Sequence, residues 1–509
     1  MPHVAPELII ASVRQPGDRE PSDIHLAKGA VTRITAEHER PAGARIVDFA
    51  GRYVIPGLWD EHVHMTQWAL AANRVDLSNA GSAAAAAGII RSRLADGPAG
   101  GNGDGGNGEG GARPTLVGVG FRDAVWPDVP SLAMLDAATR DVPAALISHD
   151  LHSVWVNSAA AKRYGIEVDA GGLLREDPAF SLTRELGRLP DSVVDAWVAE
   201  TARKAAARGV VGIVDFEMTW NREVWLRRFA GGFRSLRVDA AVYPEHLGRA
   251  LGEAMRTGQE LPGGNGLLRV GPLKVLIDGS LNTRTAYCVD PYPHGGRGLL
   301  TVSESELLGL LVRAGEGGFV PAVHAIGDAA NQVALNAFQA AGIRGRIEHA
   351  QFVRQDDFAR FGRLGLTASV QPAHALDDRD AADLNWGSRT DRAFPLRSLL
   401  AAGATLALGS DAPVAPLDPW TAMSAATTRS GLDGRAPWHP EQAITRGEAL
   451  AASSRGRGRI RVGDPADIAV LDGDPLTVPD DVFKSMPVAA TLVAGRFTHD
   501  AGGAVQSHG

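Results

Sequence analysis

Two histidines separated by one residue, His62 and His64, are the first residues in the chain whose types and spacing could hold a metal ion. On a β-strand, residues i and i+2 point to the same face, so both imidazoles can face one ion. The pair alone is weak support, because 15 histidines among 509 residues produce roughly 0.4 such pairs by chance. Ordinary surface or core histidines remain the alternative until other residues support a site.

Four further polar residues that could complete a metal site lie at the ends of apolar runs. They are Lys274, His324, His349 and Asp411. Each is costly to bury without a partner, and a metal cluster would compensate all of them together. Singly, each also fits a satisfied core polar group, and Asp411 also fits a helix N-cap before Ala412 and Pro413. As an ordered set they predict a metal centre.

The pattern of elements after residue 205 indicates how these residues could meet. Short apolar runs alternate with amphipathic stretches such as Ser303 to Gly315 and Ala329 to Ala341, which is typical of βα units. The eight predicted strands are Tyr53 to His64, Val210 to Phe216, Leu236 to Tyr243, Leu273 to Ile277, Phe319 to His324, Gly345 to Ala350, Leu366 to Gln371 and Thr405 to Ser410. Eight such units predict an α/β fold, a closed (β/α)8 TIM barrel whose chemistry lies at the carboxyl ends of the strands.

The remaining segments predict a composite β-domain and an insertion. Short alternating strands near both ends predict a small β-sandwich domain built from residues 1–56 and 455–509, beside a barrel of residues 57–454. The stretch 73–208 is too long for a βα connection and is expected to be a cap inserted in the barrel. Within it, residues 97–111 are nearly all Gly, Asn, Asp and Ala, which predicts a flexible surface loop.

The composition excludes several classes of partner and site. The formal charge is −8 with no long Lys/Arg run, which argues against nucleic acid. No leader-like segment or membrane-length apolar stretch is evident, so we expect a cytoplasmic chain with no membrane partner. The one cysteine, Cys288, excludes an internal disulfide and is expected to be an inert packed residue. Most oligomers are symmetric dimers, so a homodimer is the default expectation.

The order His-x-His, Lys, His, His, Asp along a predicted barrel resembles the amidohydrolase superfamily. The neighbouring motifs resemble its YtcJ-like branch, amidohydrolase family 3, which includes N-substituted formamide deformylases. The matching stretches are Pro56 to Asp60, Asp150 to Ser158, Lys274 to Ala286, His324 to Asp328, Arg346 to Gln351 and Gly409 to Val414. Glu61 departs from the pattern, because many relatives carry a small residue there. Asn282 and Thr283 replace a commoner Gly-Ser pair.

The resemblance implies a binuclear metal centre. The implied ligands are His62, His64, His324, His349 and Asp411, with Lys274 carboxylated by CO₂ to bridge two divalent ions. Such a carbamate supplies two anionic oxygens where an ammonium would repel the cations. Zn is the expected metal, and Mn, Fe, Ni or Co would also suit these ligands.

The implied activity is hydrolysis of an amide C–N bond in a small-molecule N-acyl or N-formyl amine. Metal-activated hydroxide would attack the carbonyl, and Asp411 would be the general acid/base. One alternative is a cyclic amide or imide hydrolase, or a deaminase, on the same scaffold. Deaminases of this type commonly use one metal and lack the carbamate. Another alternative is a non-catalytic barrel that acts as a binding protein, which predicts loss of the ligands.

Several other residues are candidates for contacting substrate or supporting the metal ligands. The substrate candidates are His152, Trp155 and Asn157 in the cap, Arg284 beyond the fourth strand, and His374 beyond the seventh. Trp155 also fits cap packing, and His374 also fits an ordinary lone histidine. Asp328 fits either a carboxylate that orients a ligand histidine or a turn residue.

Overall fold

The computed structural model describes most of the 509-residue chain. The described residues are 8–36, 41, 43–95, 115–121, 123, 126–148, 153–175, 177–281, 283–293, 295–431 and 434–502. The chain forms two compact units, Met1–Met65 with Ala202–Gly509, and Thr66–Thr201. The cap predicted at 73–208 overlaps the second unit, and its bounds stay a prediction. His152, Asn282 and the segment 97–111 lie outside the described residues. No helix within these ranges has the length and apolar content that a membrane crossing requires.

The amino-terminal part of the first unit contains six strands. They are β1 (Leu8–Val13), β2 (Ser22–Ala27), β3 (Ala30–Ala36), β4 (Arg45–Asp48), β5 (Tyr53–Pro56) and β6 (Leu58–Val63). The first four form a sheet in the order β3-β2-β1-β4, with β1 antiparallel to β2 and parallel to β4. This sheet is one layer of the terminal β-domain.

The expected first barrel strand, Tyr53 to His64, is wrong as a single strand. The chain divides at Gly57, so that β5 and β6 enter different sheets. A Cβ atom at this position would lie 2.2 Å from Cγ1 of Val211, so a side chain does not fit. The sequence alone cannot reveal this, because Val211 is distant along the chain.

The second unit is an α/β unit with its own sheet. The helices of this part of the chain are α1 (Met65–Ala72), α2 (Ala83–Ala95), α3 (Leu132–Thr139), α4 (Ser158–Tyr164), α5 (Asp177–Leu186) and α6 (Asp191–Ala206); α1 begins one residue before the unit and α6 ends five residues after it. Its strands are β7 (Val75–Asp76), β8 (Leu116–Phe121), β9 (Ala144–Ser148), β10 (Ser153–Val156) and β11 (Leu173–Arg175), paired in the order β11-β10-β9-β8-β7. The pairs from β7 to β9 are parallel, and those from β9 to β11 are antiparallel.

Two of the predicted substrate contacts serve the packing of this second unit. Trp155 is fully buried in an apolar cluster, and its Nε1 donates to the carbonyl of Ser131 at 3.3 Å. Asn157 is also fully buried and caps α4, accepting from the Ala160 amide at 2.8 Å while donating to Thr139 Oγ1 at 2.7 Å. These contacts engage the polar atoms of both side chains within the unit itself.

The barrel consists of β6 and seven further parallel strands. The strands are β12 (Val210–Asp215), β13 (Arg237–Val242), β14 (Leu268–Leu276), β15 (Pro321–Ala325), β16 (Arg346–His349), β17 (Thr367–Val370) and β18 (Thr405–Leu408), in the order β18-β17-β16-β15-β14-β13-β12-β6. The helices of this region are α7 (Asn221–Ala230), α8 (Pro244–Gly252), α9 (Glu304–Glu316), α10 (Asp328–Ala341), α11 (Gln355–Leu364), α12 (His374–Asp377), α13 (Arg379–Trp386), α14 (Leu396–Ala401) and α15 (Pro419–Thr428), with a 3-10 helix at Gly387–Arg392. The predicted barrel is confirmed, since each strand overlaps one expected from the sequence.

The barrel closes where β6 meets the segment that follows β18. The Asp411 amide donates to the carbonyl of His62 at 2.7 Å, and the His64 amide donates to that of Ala412 at 2.9 Å. Gly409 permits this approach, because a Cβ atom there would lie only 2.6 Å from the His62 backbone nitrogen. The closure therefore brings two predicted ligands together through the backbone itself.

The carboxyl-terminal elements complete the β-domain. They are a 3-10 helix at Pro440–Gln442, α16 (Arg446–Ala452), β19 (Ile468–Leu471), α17 (Asp480–Lys484), β20 (Val488–Val493) and β21 (Arg496–Asp500). The second sheet has the order β21-β20-β19-β5, so it joins both ends of the chain. Its apolar residues share one buried cluster with those of the first sheet, such as Ile10 with Val470. The expected sandwich from both termini is confirmed, and a turn at Ala494 and Gly495 separates β20 from β21.

Replacing Gly409 with alanine should destabilise the barrel where it closes, because the new Cβ collides with backbone rather than with a flexible side chain. We expect a loss of about 1–3 kcal/mol in the free energy of unfolding, measured by urea denaturation. Gly447→Ala is the matched control, since a Cβ atom there meets nothing within 4 Å and the residue lies in α16. Equal stability of the two variants would contradict the close approach.

Candidate metal centre

The six predicted metal ligands all lie in one compact unit, on or directly after barrel strands. His62 is in β6 and His64 just beyond it, Lys274 is in β14, His324 in β15, His349 ends β16, and Asp411 follows β18. Because the strands are parallel, their carboxyl ends meet at one end of the barrel. The prediction that these residues lie on or just beyond barrel strands is confirmed.

Asp411 is the residue that connects the two histidines of the His-x-His pair. Its Oδ1 lies 3.5 Å from Nε2 of His62 and 3.5 Å from Nε2 of His64. Ligand atoms of His62, His349 and Asp411 all lie within 4.8 Å of one another, a span that one ion can bridge. His324 continues the cluster, with its ring centroid 4.4 Å from that of His349.

Lys274 lies inside the same cluster and is almost completely buried, at 2% exposure. Its Nζ is 3.1 Å from Nε2 of His62 and 4.3 Å from the ring centroid of Phe216. Burial lowers the pKa of the lysine to about 8, although Glu348 and Asp411 oppose this shift. The uncharged amine, which does not repel a metal as an ammonium would, is therefore far more accessible near neutral pH than in an exposed lysine.

The histidines are held in the form that binds metals. Burial, with a further contribution from the charge of Lys274, lowers the pKa of His62 to about 4 and that of His324 to about 3. Burial also lowers the pKa of His349 well below its usual value. Neutral imidazoles offer a lone pair to a cation. Burial opposes ionisation of Asp411, but His62 and a hydrogen bond with His64 hold its pKa well below the usual range.

The hydrogen bonding of the cluster leaves room for a metal ion. Within the described residues, Nδ1 of His64 and Nδ1 of His349 are buried without a hydrogen-bond partner. Buried polar atoms are rarely left in this state without water, an ion or a functional reason. Together with neutral imidazoles and an ionised carboxylate, these atoms fit a divalent cation.

Two buried carboxylates that lie beside the histidines were not predicted. Oε2 of Glu348 lies 2.8 Å from Nδ1 of His62, and Oδ1 of Asp278 lies 3.5 Å from Nε2 of His324. Burial raises the pKa of Asp278 to about 7, although amides such as that of Gly327, at 2.9 Å, lower it. A charged residue in an apolar strand is costly to bury, which identified Lys274 as a candidate in the sequence. The same argument applies to Glu348 and could have identified it.

Asp411 and Asp328, each of which fitted two roles in the sequence, have distinct surroundings in the structure. Asp411 is not a helix N-cap, since no helix begins within residues 411–418, all of which are described, and Asp418 caps α15 instead. Asp328 does not orient a ligand histidine. It begins α10, accepts from the Val289 amide at 2.8 Å and lies 3.6 Å from Arg392 Nη1. Asp278, and not Asp328, is the carboxylate that lies close to His324.

The remaining candidates occupy different surroundings. His374, at the start of α12, is 6% exposed, and its ring is stacked 6.3 Å from that of His349. Its Nε2 is buried without a hydrogen-bond partner among the described residues. Arg284 is exposed in the loop after β14. Cys288 is packed in an apolar cluster, where burial raises its thiol pKa to about 11, as expected of an inert residue.

The backbone is strained at two of the predicted ligands. His349 has φ +71° and Asp411 has φ +57°, in the left-handed region that non-glycine residues seldom occupy. Such conformations cost about 1–3 kcal/mol each and concentrate at functional sites. Here they occur where the chain leaves β16 and β18 and turns a ligand towards the cluster.

A family model described as the amidohydrolase family matches residues 45–499. The chain belongs to the amidohydrolase family. This amidohydrolase is accordingly a metal-dependent hydrolase that acts on carbon–nitrogen bonds, and the non-catalytic alternative is wrong. The resemblance identified from the sequence motifs is confirmed.

Two curated relatives span nearly the whole amidohydrolase. The putative amidohydrolase YtcJ of Bacillus subtilis (strain 168) is 25% identical over 515 aligned residues, covering 93% of this chain and 93% of the relative. The N-substituted formamide deformylase of Arthrobacter pascens is 26% identical over 500 residues, covering 89% of each chain. Both are distant relatives.

The fold of the amidohydrolase is also found in solved structures. An uncharacterized metal-dependent hydrolase from Pyrococcus furiosus superposes with a TM-score of 0.74 at 23% identity, covering 92% of this chain and 100% of that one. This likeness establishes the fold alone.

A metal bound at this cluster should stabilise the folded protein. Zn²⁺ at about 100 times its dissociation constant is expected to add about 2.7 kcal/mol, seen as a rise in melting temperature over the chelator-treated protein. His349→Ala should abolish most of this rise. His246→Ala is the control, because that ring packs against Trp220 outside the cluster. A rise retained in His349→Ala but lost in His246→Ala would disprove the site.

Proposed function

We propose that this amidohydrolase cleaves the amide C–N bond of an N-acyl or N-formyl amine at a centre of two divalent metals, with Zn as the first metal to test. The observation that carries the proposal is the position of Asp411, with Oδ1 3.5 Å from Nε2 of both His62 and His64. A carboxylate shared in this way can help hold a metal and also exchange protons with water or substrate. The proposed metal residues are His62, His64, Lys274, His324, His349 and Asp411.

The choice of an N-acyl amine as substrate is supported by one relative. The N-substituted formamide deformylase is 26% identical over 89% of this chain. An acyclic N-formyl or N-acyl amine is therefore the first class to test, and a cyclic amide or imide is the second.

We propose that Lys274 carries a carbamate. The neutral amine attacks CO₂, a C–N bond forms as one C=O π bond breaks, and one proton leaves, so that the neutral amine becomes an anion; an ammonium must first lose a further proton. Burial beside His62 makes the neutral amine accessible, and the anion would balance metal charge that the imidazoles cannot. The two carbamate oxygens would allow one side chain to serve two ions.

Bound divalent metals would polarise the substrate carbonyl and increase the acidity of a water molecule. Asp411 contributes the proton transfers. Its carboxylate is ionised at neutral pH, so it can accept a proton from the attacking water. The same proton then passes to the amine nitrogen as the C–N bond breaks. The products are a carboxylic acid, formate for an N-formyl substrate, and the free amine.

His374 is our proposed substrate-positioning residue. Its Nε2 is buried beside His349 and lacks a partner among the described residues, so it can hydrogen-bond the substrate amide. Arg284 remains a second proposal for contacting a substrate carbonyl or carboxylate. The cap candidates are not needed for this arrangement.

The proposed reaction predicts release of amine and formate or another acid from N-substituted formamides and N-acyl amines. Asp411→Asn should reduce kcat by about 10²–10⁴, the usual loss on removal of a general acid/base. Asparagine also tolerates positive φ, so the backbone at this position should be preserved. Metal content should be measured alongside turnover. Full activity in the metal-loaded variant would disprove the role of Asp411.

The carbamate predicts the metal content. The wild-type protein should hold two ions per chain by elemental analysis, and Lys274→Ala should hold fewer. Growth and assay under ¹³CO₂ should give a carbamate carbon signal in the wild type that is absent from the variant. One ion per chain in the wild type without this signal would favour the deaminase alternative. Asp383→Asn, at an acidic residue that accepts from Trp438 Nε1 at 3.2 Å, is a control that should hold two ions.

A further inference from the structure

We propose that Arg455 is a positioning residue for the metal ligand His62 and acts through a chain of buried ion pairs. The inference rests on the proposed function, because it takes His62 to be a ligand. The ion-pair chain consists of Arg455, Glu61, Arg346, Glu348 and His62 in that order. It links a residue beyond α16 to a histidine at the carboxyl end of β6.

Each link in the ion-pair chain is a short, charge-assisted contact. Arg455 Nε donates to Glu61 Oε1 at 2.7 Å, and Arg346 Nη1 donates to Glu61 Oε2 at 2.7 Å. Arg346 Nε donates to Glu348 Oε1 at 2.7 Å, and Glu348 Oε2 lies 2.8 Å from Nδ1 of His62. Both carboxylates therefore use both oxygens, which fixes their planes.

The ion-pair chain is buried along most of its length. Glu348 is fully buried, Glu61 is 3% exposed and His62 is 1% exposed. In such surroundings, a carboxylate that loses one cationic partner is left with a large uncompensated desolvation cost. Displacement of one side chain should therefore change the position of the next, because little water is present to replace the lost contact.

An irregularity in β6 allows two consecutive residues to reach β16. Along the pairing of β12 with β6, Ile213 is opposite Asp60 and Asp215 is opposite Val63, so β6 has one extra residue. In a regular strand, neighbours point to opposite faces. The extra residue lets Glu61 contact Arg346 while His62 contacts Glu348.

Arg455 is itself held firmly at the other end of the ion-pair chain. Its guanidinium lies over the ring of Trp59, 3.2 Å from the centroid, and its Nη2 donates to Asp239 Oδ2 at 2.6 Å. The Trp59 amide donates to the carbonyl of Ser453 at 2.7 Å, which ties the segment before Arg455 to β6. These contacts fix the guanidinium that neutralises Glu61.

The function of the ion-pair chain follows from the charge on Glu348. A carboxylate at Nδ1 orients the imidazole of His62 and leaves Nε2 to face the cluster. Arg346 already contacts both Glu61 and Glu348, and without Arg455 it would have to balance the full charge of both buried carboxylates and would move towards Glu61. Glu348 would then lose part of its support, and the orientation of His62 would loosen.

The test is Zn²⁺ affinity of the full-length protein, measured by competition with a chromogenic chelator. Arg455→Met, which keeps an apolar stem against Trp59, should weaken Zn²⁺ binding by about 10–100-fold, the usual effect of losing support for a ligand. Arg455→Lys should restore part of this loss. The thermal stability of each metal-free protein is measured in parallel.

Arg237→Met is the matched control. Arg237 pairs with Asp467 at 2.6 Å, and the two side chains are 13% and 2% exposed, but this pair is not part of the ion-pair chain. The control should lower the melting temperature of the metal-free protein while leaving Zn²⁺ affinity unchanged. An equal loss of Zn²⁺ affinity in both variants would show a general structural effect and overturn the proposal.

A double variant tests whether Arg455 acts through Glu61. Glu61→Gln alone should weaken Zn²⁺ binding, and Arg455→Met should add little to it, because the link is already broken. Additive losses would overturn the proposed route. If the wild type binds no Zn²⁺, the proposed function fails. If the wild type and Arg455→Met bind it equally, only the role of Arg455 fails.

Discussion

The backbone contact between the first and eighth barrel strands is the constraint on which the metal centre depends. The Asp411 amide donates to the carbonyl of His62 at 2.7 Å, and Gly409 permits the approach because it lacks a side chain. This contact brings a carboxylate within 3.5 Å of two imidazoles that lie at the carboxyl end of the first barrel strand. The left-handed backbone at Asp411 then aims the side chain. The backbone contacts that close the barrel consequently also determine the positions of these proposed ligands.

Burial shifts the charge state of four groups in the cluster, His62, His324, His349 and Lys274. It disfavours cationic histidine and cationic lysine, so the imidazoles are neutral and Lys274 is partly uncharged near neutral pH. Carboxylates persist as anions only where cations or donors face them, as Arg346 faces Glu348. The result is a region rich in lone pairs and negative charge, which suits divalent cations. The chemistry of the site is thus set largely by the exclusion of water.

The ligands could be predicted from the sequence because two independent signals coincide on them. Lys274, His324 and His349 are polar residues in otherwise apolar strands, and the barrel brings strand ends together. Glu348 was missed because regular alternation would place it opposite its neighbour His349. The left-handed backbone at His349 breaks that alternation, and the extra residue in β6 does the same for Glu61 and His62; a sequence pattern reveals neither feature. The division at Gly57 was missed for a similar reason, since it depends on contact with Val211.

The first barrel strand, β6, and the segment just before it contact residues 455–471, which are synthesised late. The Gly57 amide donates to the carbonyl of Asp467 at 2.9 Å, β5 pairs with β19, and Arg455 meets Glu61. During translation, β6 must therefore wait for residues more than three-quarters of the way along the chain before its surroundings are complete. Contacts of such long sequence separation form slowly and leave intermediates exposed. Ribosome-bound nascent chains that end before Arg455 would consequently be expected to depend on chaperones.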